Sequence, residues 1–438
     1  MSKVDYIPDD PKKFKILFMS NSVYSPSGYG VQSNGMLYDW VKHYDVREAT
    51  NYGLAGRMIG LNGLMIYPAI DGDLHGDKTS RLIFQNWKPH LYFTLYDIWM
   101  GAYTDQNPNS PIGLSAIHPY WIPIVMVDHD PVPEGTVQQC MAAYRTLTPT
   151  KFGEKQLRDR GVRADYIPFG VSTKVWKPVE SEDEKRANRP WLNERGVPLD
   201  ANEHTDITED SFLLMMNGAN KDPMRKGFMR FLTALQLFLE QNPDAKSDTR
   251  VYIHSWMRMA RDIPHGAKVL NVAKYIRGTA DYHNLCGIPE DALARITRTA
   301  DLFCQPTEGG GFEIPVMEAI ASGVPACVTN FVGLPELIQT ENGLAGYLIP
   351  FINQTEKHKG RELYFSPLDA TQAIADEYAL ADAIEDAYNH PEKRKAMGEL
   401  GRKHSLQYDW SVVNPLYRQV IEEAMAEMRY KPLTERVL

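Results

Sequence analysis

Between Asp301 and Thr329 the chain reads as strand, glycine turn, helix and strand, and no other run constrains the fold as tightly. Asp301-Leu302-Phe303-Cys304-Gln305-Pro306 is a short apolar strand, and Ala326-Cys327-Val328-Thr329 is the next one. Between them Thr307-Glu308-Gly309-Gly310-Gly311-Phe312-Glu313-Ile314-Pro315-Val316-Met317-Glu318-Ala319 takes a glycine loop straight into a helix. This is the βαβ unit of a parallel sheet, whose ligands gather at the carboxyl ends of the strands. Free N–H groups and the positive helix end favour phosphate or sugar oxygens, and the glycines let a ligand approach. Glu318, about one turn into the helix, is placed to accept hydrogen bonds from a vicinal diol such as a ribose. Spacing alone therefore reads as a nucleotide site. Glycine-rich turns of this kind also occur in α/β proteins that bind nothing there, so the other segments decide.

Those segments repeat the pattern. Lys15-Ile16-Leu17-Phe18-Met19 reads as a first strand, and the turn Ser25-Pro26-Ser27-Gly28-Tyr29-Gly30 leads into a helix bearing Val31, Met36, Leu37, Trp40 and Val41. Apolar runs at Leu91–Leu95 and Ile122–Val127 suit interior strands. The charged stretch Glu180-Ser181-Glu182-Asp183-Glu184-Lys185-Arg186 interrupts the series and reads as a linker. Beyond it Ser211–Met216 opens a second βα series, with Phe228, Phe231, Leu232, Leu235 and Phe238 on one helical face. Near the end Leu380, Ile384, Ala387 and Tyr388 mark one helix, and a last amphipathic helix runs from about Val412 through Met425.

At 438 residues the chain is long enough for two ordinary cores, and 43% hydrophobic with 24% charged residues describes a globular protein. No apolar run approaches the roughly 18 residues of a membrane span, and the first residues lack a signal-peptide core, so a cytoplasmic location is expected. Cys140, Cys286, Cys304 and Cys327 are widely spaced and read as structural thiols rather than zinc ligands or a disulfide framework. No spacing of ligands suggests a metal. A net charge of −9 argues against a broad nucleic-acid footprint.

The glycine run resembles the donor-site signature of family 4 retaining glycosyltransferases (glycosyl transferases group 1), in which two glutamates flank a Gly-Phe-Gly-aliphatic-Pro core. Further matches follow in order over nearly the whole chain. Lys151-Phe152-Gly153 through Gly161-Val162, Tyr166 through Thr173, and Trp176-Lys177-Pro178 resemble the family's exit from its N-terminal domain. Asn217-Gly218-Ala219-Asn220 with Arg225-Lys226-Gly227 resembles the first strand and phosphate turn of its second domain, and Gly333 to Ile338 its Gly-x-x-Glu segment. The resemblance implies an α/β GT-B fold: two Rossmann-like parallel-sheet domains facing each other across a cleft. The boundaries expected are an acceptor domain at 1–185, a nucleotide-sugar donor domain at 186–409, and a helix at 410–438 that crosses back, with Trp410 marking the crossing.

Two departures stand out. Aligned on Phe312, Pro315 and Glu318, the family's first glutamate falls on Gly310 and its second core glycine on Glu313, while Glu308 lies two positions early. Either Glu308 reaches the sugar from a longer loop, or Glu313 has taken over, or the contact is absent. The arginine that usually precedes the lysine is replaced by Asn220, with Arg225 beside Lys226.

The resemblance implies site residues as follows. Catalytic candidates are His129, Lys226, Glu308 and Glu313. Donor-binding candidates are Gly28, Gly30, Asn220, Arg225, Lys226, Gly311, Phe312, Ile314, Pro315 and Glu318, with no metal. Lys226 would stabilise charge on the departing diphosphate, Glu318 would hold the ribose, and His129, next to Asp128 and Asp130, would stand near the transferred sugar. The activity implied is transfer of a sugar from a UDP- or GDP-sugar to an acceptor hydroxyl with retention. The acceptor attacks on the face the diphosphate leaves, since no pair of carboxylates of the glycosidase kind is evident. No prosthetic group is expected; the nucleotide-diphosphate sugar is a co-substrate. An epimerase or phosphorylase on the same fold, or a silent nucleotide-sugar-binding partner, remains the alternative.

The acceptor is not legible. A glycan, a lipid-linked or small hydroxylated molecule stays open, a modified nucleobase ranks below these, and peripheral membrane contact is open too. Lys151, Lys155, Arg158, Arg160 and Arg163 form a basic segment that reads first as a solvated helix face and otherwise as a surface for an anionic partner. Tyr24, Tyr29, Tyr96 and Trp99 are candidates for stacking or for core.

Overall fold

The computed structural model describes residues 7–70, 76–98, 120–281, 287–352, 364–365 and 370–430; Trp99 and Cys286 lie outside them. Internal contacts divide the chain into two units, one of Met1–Val127, Pro131–Gly170 and Tyr408–Leu438, the other of Asp128–Asp130 and Val171–Gln407.

The first unit is built on eight strands: β1 (Lys15–Asn21), β2 (Asp45–Tyr52), β3 (Ile59–Leu61), β4 (Leu64–Tyr67), β5 (Leu91–Leu95), β6 (Trp121–Ile124), β7 (Thr146–Thr148) and β8 (Ala164–Tyr166). Their order is β3-β4-β2-β1-β5-β6-β7-β8, and β1 pairs in parallel with both β2 and β5. Ile16 through Met19 and Leu91 through Phe93 are fully buried, as strands covered on both faces must be. In the Gly28–Trp40 helix Met36, Leu37 and Trp40 are buried, but so are Gln32 and Ser33, whereas Val31 and Val41 are only half-buried. Gln32 is satisfied by Gly170, donating to its carbonyl at 2.9 Å and accepting from its N–H at 3.1 Å. Apolar periodicity could not foresee a buried amide with its own backbone partner.

The last helix, Trp410–Tyr430, belongs to this unit. Its Trp410 ring lies so close to Gly35 and Gly170 that a Cβ would stand 2.1 Å and 2.4 Å from ring atoms. Asn414 adds a bond to the Gly35 carbonyl at 3.0 Å, and Arg418 pairs with Asp39.

The second unit has β9 (Gly196–Pro198), β10 (Phe212–Asn217), β11 (Thr249–His254), β12 (Ile276–Thr279), β13 (Leu302–Gln305), β14 (Ala326–Thr329), a small hairpin of β15 (Gln339–Thr340) and β16 (Gly343–Leu344), and β17 (Gly346–Ile349). The sheet order is β17-β14-β13-β10-β11-β12-β9, parallel except for β9. Phe228, Phe231, Leu232, Leu235 and Phe238 of the Phe228–Gln241 helix are all buried on it. Each contributes about 1.5–3 kcal/mol by leaving water. Cys304 and Cys327 stand opposite each other on β13 and β14 as free, buried thiols.

The charged stretch read as a linker is part of this unit. The boundaries at 185/186 and 409/410 shift to 170/171 and 407/408 when residues are assigned by their contacts. Ser181 caps a helix at Glu182–Asn188, accepting from the Glu184 N–H. Lys185 reaches Asp301 at 3.0 Å, and Arg189 reaches it at 2.6 Å. Burial penalises the Asp301 carboxylate, yet Lys185, Arg189 and Arg394 together hold it below the usual carboxylate range. The charges that resemble a solvated connector are half of a buried network whose other half lies more than a hundred residues away.

Candidate functional site

Because β10 and β13 are neighbours in register, Leu214 opposite Leu302 and Met215 opposite Phe303, the loops that follow them emerge side by side at the carboxyl end of the sheet. Gly227 makes that possible: its φ is +69°, and a Cβ there would lie 2.1 Å from the Pro306 carbonyl oxygen. Only glycine suits both conditions. The Glu308 N–H donates to the Arg225 carbonyl at 2.8 Å, and the Ala373 N–H donates to the Glu308 carbonyl at 2.8 Å. Glu308 is thereby fixed on both sides.

Lys226 and Glu313 form the centre. The Lys226 ammonium donates to Glu313 Oε1 at 2.5 Å and Oε2 at 2.7 Å, with side chains 11% and 4% exposed. Burial lowers the Lys226 ammonium below its ordinary value, and Glu313 offsets only part of that. Glu313 occupies the N-cap of the Ile314–Ala321 helix without capping it, because its carboxylate faces Lys226 instead.

Two further carboxyls are buried here. Burial pushes Glu308 up to about 7 against the pull of Arg230, whose Nε is 3.9 Å from Oε1; Oε2 has no partner. Burial, with Glu290 adding to it, pushes Glu318 up to about 8. Among the described residues no side chain bonds or pairs with the Glu318 carboxyl. Buried polar groups are nearly always satisfied, so orphaned oxygens at a strand end are what a site awaiting a polar ligand presents.

Asp128–Asp130 comes to this site as part of the second unit. Asp130 exchanges backbone bonds with Thr371 at 3.3 Å, and a Cβ on Gly309 would be 2.8 Å from the Asp128 carbonyl oxygen. His129 is buried, its Nδ1 2.6 Å from Asp128 Oδ1 and its Nε2 without a partner. Gln372 lies against the same loop, since the Gly309 Cβ would also meet its Nε2 at 2.7 Å. Sequence reasoning missed Gln372 and Arg230. Arg230 had a signal: it stands one helical turn after Lys226 on the same helix entry.

The remaining candidates sort unevenly. Gly311 is buried, Phe312 and Pro315 are half-buried, and Ile314 opens the helix. Arg225 lies beside Lys226, its N–H bonded to Asp222 Oδ1 at 2.8 Å. Asn220 departs from expectation. Its amide donates to the carbonyls of Trp256 at 2.9 Å and Arg261 at 2.8 Å and accepts from the Arg261 N–H at 3.0 Å. Both amide protons are committed, so Asn220 braces the loop after β11 and has none left for a phosphate. Gly28 and Gly30 open the Gly28–Trp40 helix of the first unit, where a Cβ on Gly30 would be 2.3 Å from the Ser25 carbonyl oxygen. That turn requires Gly30 whether or not a ligand visits.

The Ile314–Ala321 helix is held from behind. Arg402 donates to the carbonyls of Thr173 at 3.2 Å, Trp176 at 2.9 Å and Ala321 at 3.1 Å. It thereby closes the carboxyl end of the helix that carries Glu318.

The basic segment of the first unit is locally neutralised: Lys155 pairs with Asp159, Arg158 with Glu154 and Asp165, Arg160 with Glu134, and Arg163 with Glu427. Lys151 lies over the Tyr166 ring. Tyr96 is buried, Tyr29 donates to Asp97 at 2.6 Å, and Tyr24 is exposed. Among the described residues no helix is long and apolar enough to cross a membrane, and no cluster of His, Cys, Asp or Glu has metal-site geometry.

Residues 212–357 match the family described as Glycosyl transferases group 1. The resemblance drawn from the sequence is met over that stretch. Among curated proteins, D-inositol 3-phosphate glycosyltransferase of Paenarthrobacter aurescens is 27% identical over 60% of this chain and 52% of its own. MMP α-(1→4)-mannosyltransferase of Mycolicibacterium hassiacum is 23% identical over 33% of this chain and 30% of its own. The chain thus spans about half or less of the length of these relatives. Among solved structures, sucrose-phosphate synthase from Thermosynechococcus elongatus superposes with a TM-score of 0.65 at 15% identity, covering 94% of this chain and 100% of that one. HepE of Anabaena, solved with UDP and glucose, gives 0.63 at 12%, covering 94% and 100%. The architecture is that of the GT-B fold, with two Rossmann-like parallel-sheet units.

Proposed function

We propose that this protein is a retaining, metal-independent glycosyltransferase of family 4 that moves a sugar from a UDP- or GDP-sugar to an acceptor hydroxyl. The observation that carries the reading is a buried lysine at the carboxyl end of a parallel sheet, flanked by two buried carboxyls that lack full partners. Lys226 uses two ammonium protons on Glu313 and keeps one for a phosphate oxygen. Charge that builds on the departing diphosphate is stabilised there, in a place where water competes poorly. Glu318 takes the ribose diol. Glu308, with its free Oε2, takes a hydroxyl of the transferred sugar, while Glu313 stays with the lysine; this assigns the displaced glutamate of the family pattern to Glu308. His129 offers Nε2 nearby. The acceptor hydroxyl attacks from the side the diphosphate leaves, and a leaving phosphate oxygen accepts its proton. The relatives support the donor class: one is named a GDP-mannose-dependent mannosyltransferase, and HepE was solved with UDP-glucose.

The test is a panel of nucleotide sugars with nucleotide release measured with and without EDTA, and anomeric configuration read by NMR on any product. Release unaffected by EDTA, with retained configuration, is expected. A protein that binds no donor refutes the transferase reading. Loss of turnover in EDTA refutes metal independence, and isomerised donor without transfer favours the epimerase.

A further inference from the structure

Arg230 stands between two carboxyl groups and bonds only one of them. Its Nη1 donates to Glu377 Oε2 at 3.3 Å, whereas its Nε stops 3.9 Å from Glu308 Oε1, within reach of charge attraction but beyond that of a hydrogen bond. The arginine side chain is 27% exposed, against 1% for Glu308 and 12% for Glu377. A forked cation with five N–H donors thus leaves the more deeply buried of its two neighbours unbonded.

The backbone holds all three in place. Arg230 lies in the first turn of the Phe228–Gln241 helix. The Ala373 N–H donates to the Glu308 carbonyl at 2.8 Å. A short way along the same segment Asp376 caps the Glu377–Asn389 helix, accepting from the N–H groups of Tyr378 at 2.9 Å and Ala379 at 3.0 Å. The stretch that ties down the Glu308 backbone therefore also presents Glu377, the first residue of that helix, to the arginine.

The distance from Arg230 to Glu308 decides what Glu308 can do. A guanidinium bonded to it outright would occupy the oxygens that a sugar hydroxyl needs. With no guanidinium nearby, burial would favour the protonated acid. Burial raises Glu308, and Arg230 is the first of the groups that oppose it; Asp222 raises it further and Arg261 lowers it. Those last two are committed elsewhere, Asp222 Oδ1 to the Met224 and Arg225 N–H groups, each at 2.8 Å, and Arg261 Nε to the Pro223 carbonyl at 2.7 Å. Lys226 and Asp128 are engaged with Glu313 and His129. Arg230 is the charge whose position Glu377 controls.

We propose that Glu377 is a positioning residue: by bonding Arg230 it holds the guanidinium off Glu308 and leaves Glu308 open to a hydroxyl of the donor sugar. This rests on the assignment of Glu308 to the sugar made above and adds the pair that keeps it available. The first test needs no ligand. Full-length protein labelled with ¹³C at glutamate Cδ is titrated by NMR as wild type, Glu377→Met, Arg230→Gln and the double variant, the Glu308 signal being identified by its loss in Glu308→Gln. In Glu377→Met the guanidinium closes on Glu308, whose midpoint should fall. In Arg230→Gln it should rise by about one unit, the lower end of the effect of an adjacent opposite charge. The double variant should match Arg230→Gln, because Glu377 acts only through the arginine. Glu377→Gln, a milder change, should move the midpoint in the same direction as Glu377→Met, so the comparison survives if another variant fails to fold. An unmoved midpoint in both Glu377 variants, or a double variant displaced from Arg230→Gln, overturns the inference; loss of packing alone would not give shifts of opposite sign. The second test is calorimetry with UDP-glucose, UDP, GDP-mannose and GDP. Glu377→Met should weaken a sugar nucleotide about tenfold relative to its parent diphosphate, the scale of one hydrogen bond to a charged group, and leave the diphosphate itself unchanged. An unchanged ratio overturns the link to the sugar. A wild-type protein that binds none of the four overturns the donor reading itself, while the titration still judges the Glu308–Arg230–Glu377 arrangement.

Discussion

Replacing Lys226 by Met separates what the lysine does for the fold from what it does for a donor. The substitution keeps the length of the stem and removes the charge. Glu313, 4% exposed, then retains a carboxylate whose two oxygens have lost donors at 2.5 Å and 2.7 Å. Breaking a buried pair from one side costs about 3–5 kcal/mol, because the stranded ion has neither water nor a partner. Removing both charges in Lys226→Met/Glu313→Gln leaves no stranded ion and should recover most of that cost. Urea midpoints and thermal transitions of the two variants should therefore differ, with Tm lower by roughly 10 °C in the single variant at about 2–4 °C per kcal/mol for a unit of this size. Turnover should behave otherwise. Both variants lack the cation proposed to meet the diphosphate, so both should lose about 10²–10³-fold in kcat, the usual scale for one oriented donor to developing charge. A single variant as stable as wild type would show that the pair is not desolvated as described. A double variant that regains turnover along with stability would show that Lys226 serves only the fold.

Two other expectations concern pH and packing. Glu308 and Glu318 are raised to about 7 and about 8, above an unfolded carboxyl, so the folded state holds protons the unfolded state has lost. Stability should fall as pH rises from about 4.5 to 8, and Glu308→Gln/Glu318→Gln should flatten that slope; a wild type as stable at pH 8.5 as at pH 5.5 would refute it. Asp301→Asn should cost about 3–5 kcal/mol by stranding Arg189 and Lys185. Because Asp301 is depressed, its contribution is present above the unfolded pKa and is lost as pH falls through and below about 4. An acid-unfolding midpoint identical in wild type and Asp301→Asn would contradict this.

The strands and the glycine loop were legible because each obeys a local rule: apolar runs of strand length, glycine where backbone approaches backbone, proline at a helix start. The Phe228–Phe238 face follows from period alone. What escaped were features that depend on partners distant in sequence. Glu182–Asn188 looks like a tether until Asp301 is set beside it. Asn220 occupies a ligand's position in the pattern, yet its amide is claimed by Trp256 and Arg261. The choice between Glu308 and Glu313 could not be made from spacing, because both stand within reach of the loop, and only the identity of the neighbours, Arg230 for one and Lys226 for the other, tells them apart. Gln372 carries no local mark at all.

The guanidinium of Arg402 joins three stretches of chain that are remote from one another in sequence: the carbonyls of Thr173 and Trp176, the tail of the Ile314–Ala321 helix, and the helix from which Arg402 itself projects. A rivet at the blunt end of a helix governs the aim of its tip. Lysine cannot copy it, since a rotating ammonium lacks the planar fork that meets carbonyls in different directions at once. Random mutagenesis for altered sugar use should therefore return changes around Arg402, behind the proposed site, as readily as changes among the groups assigned to the sugar.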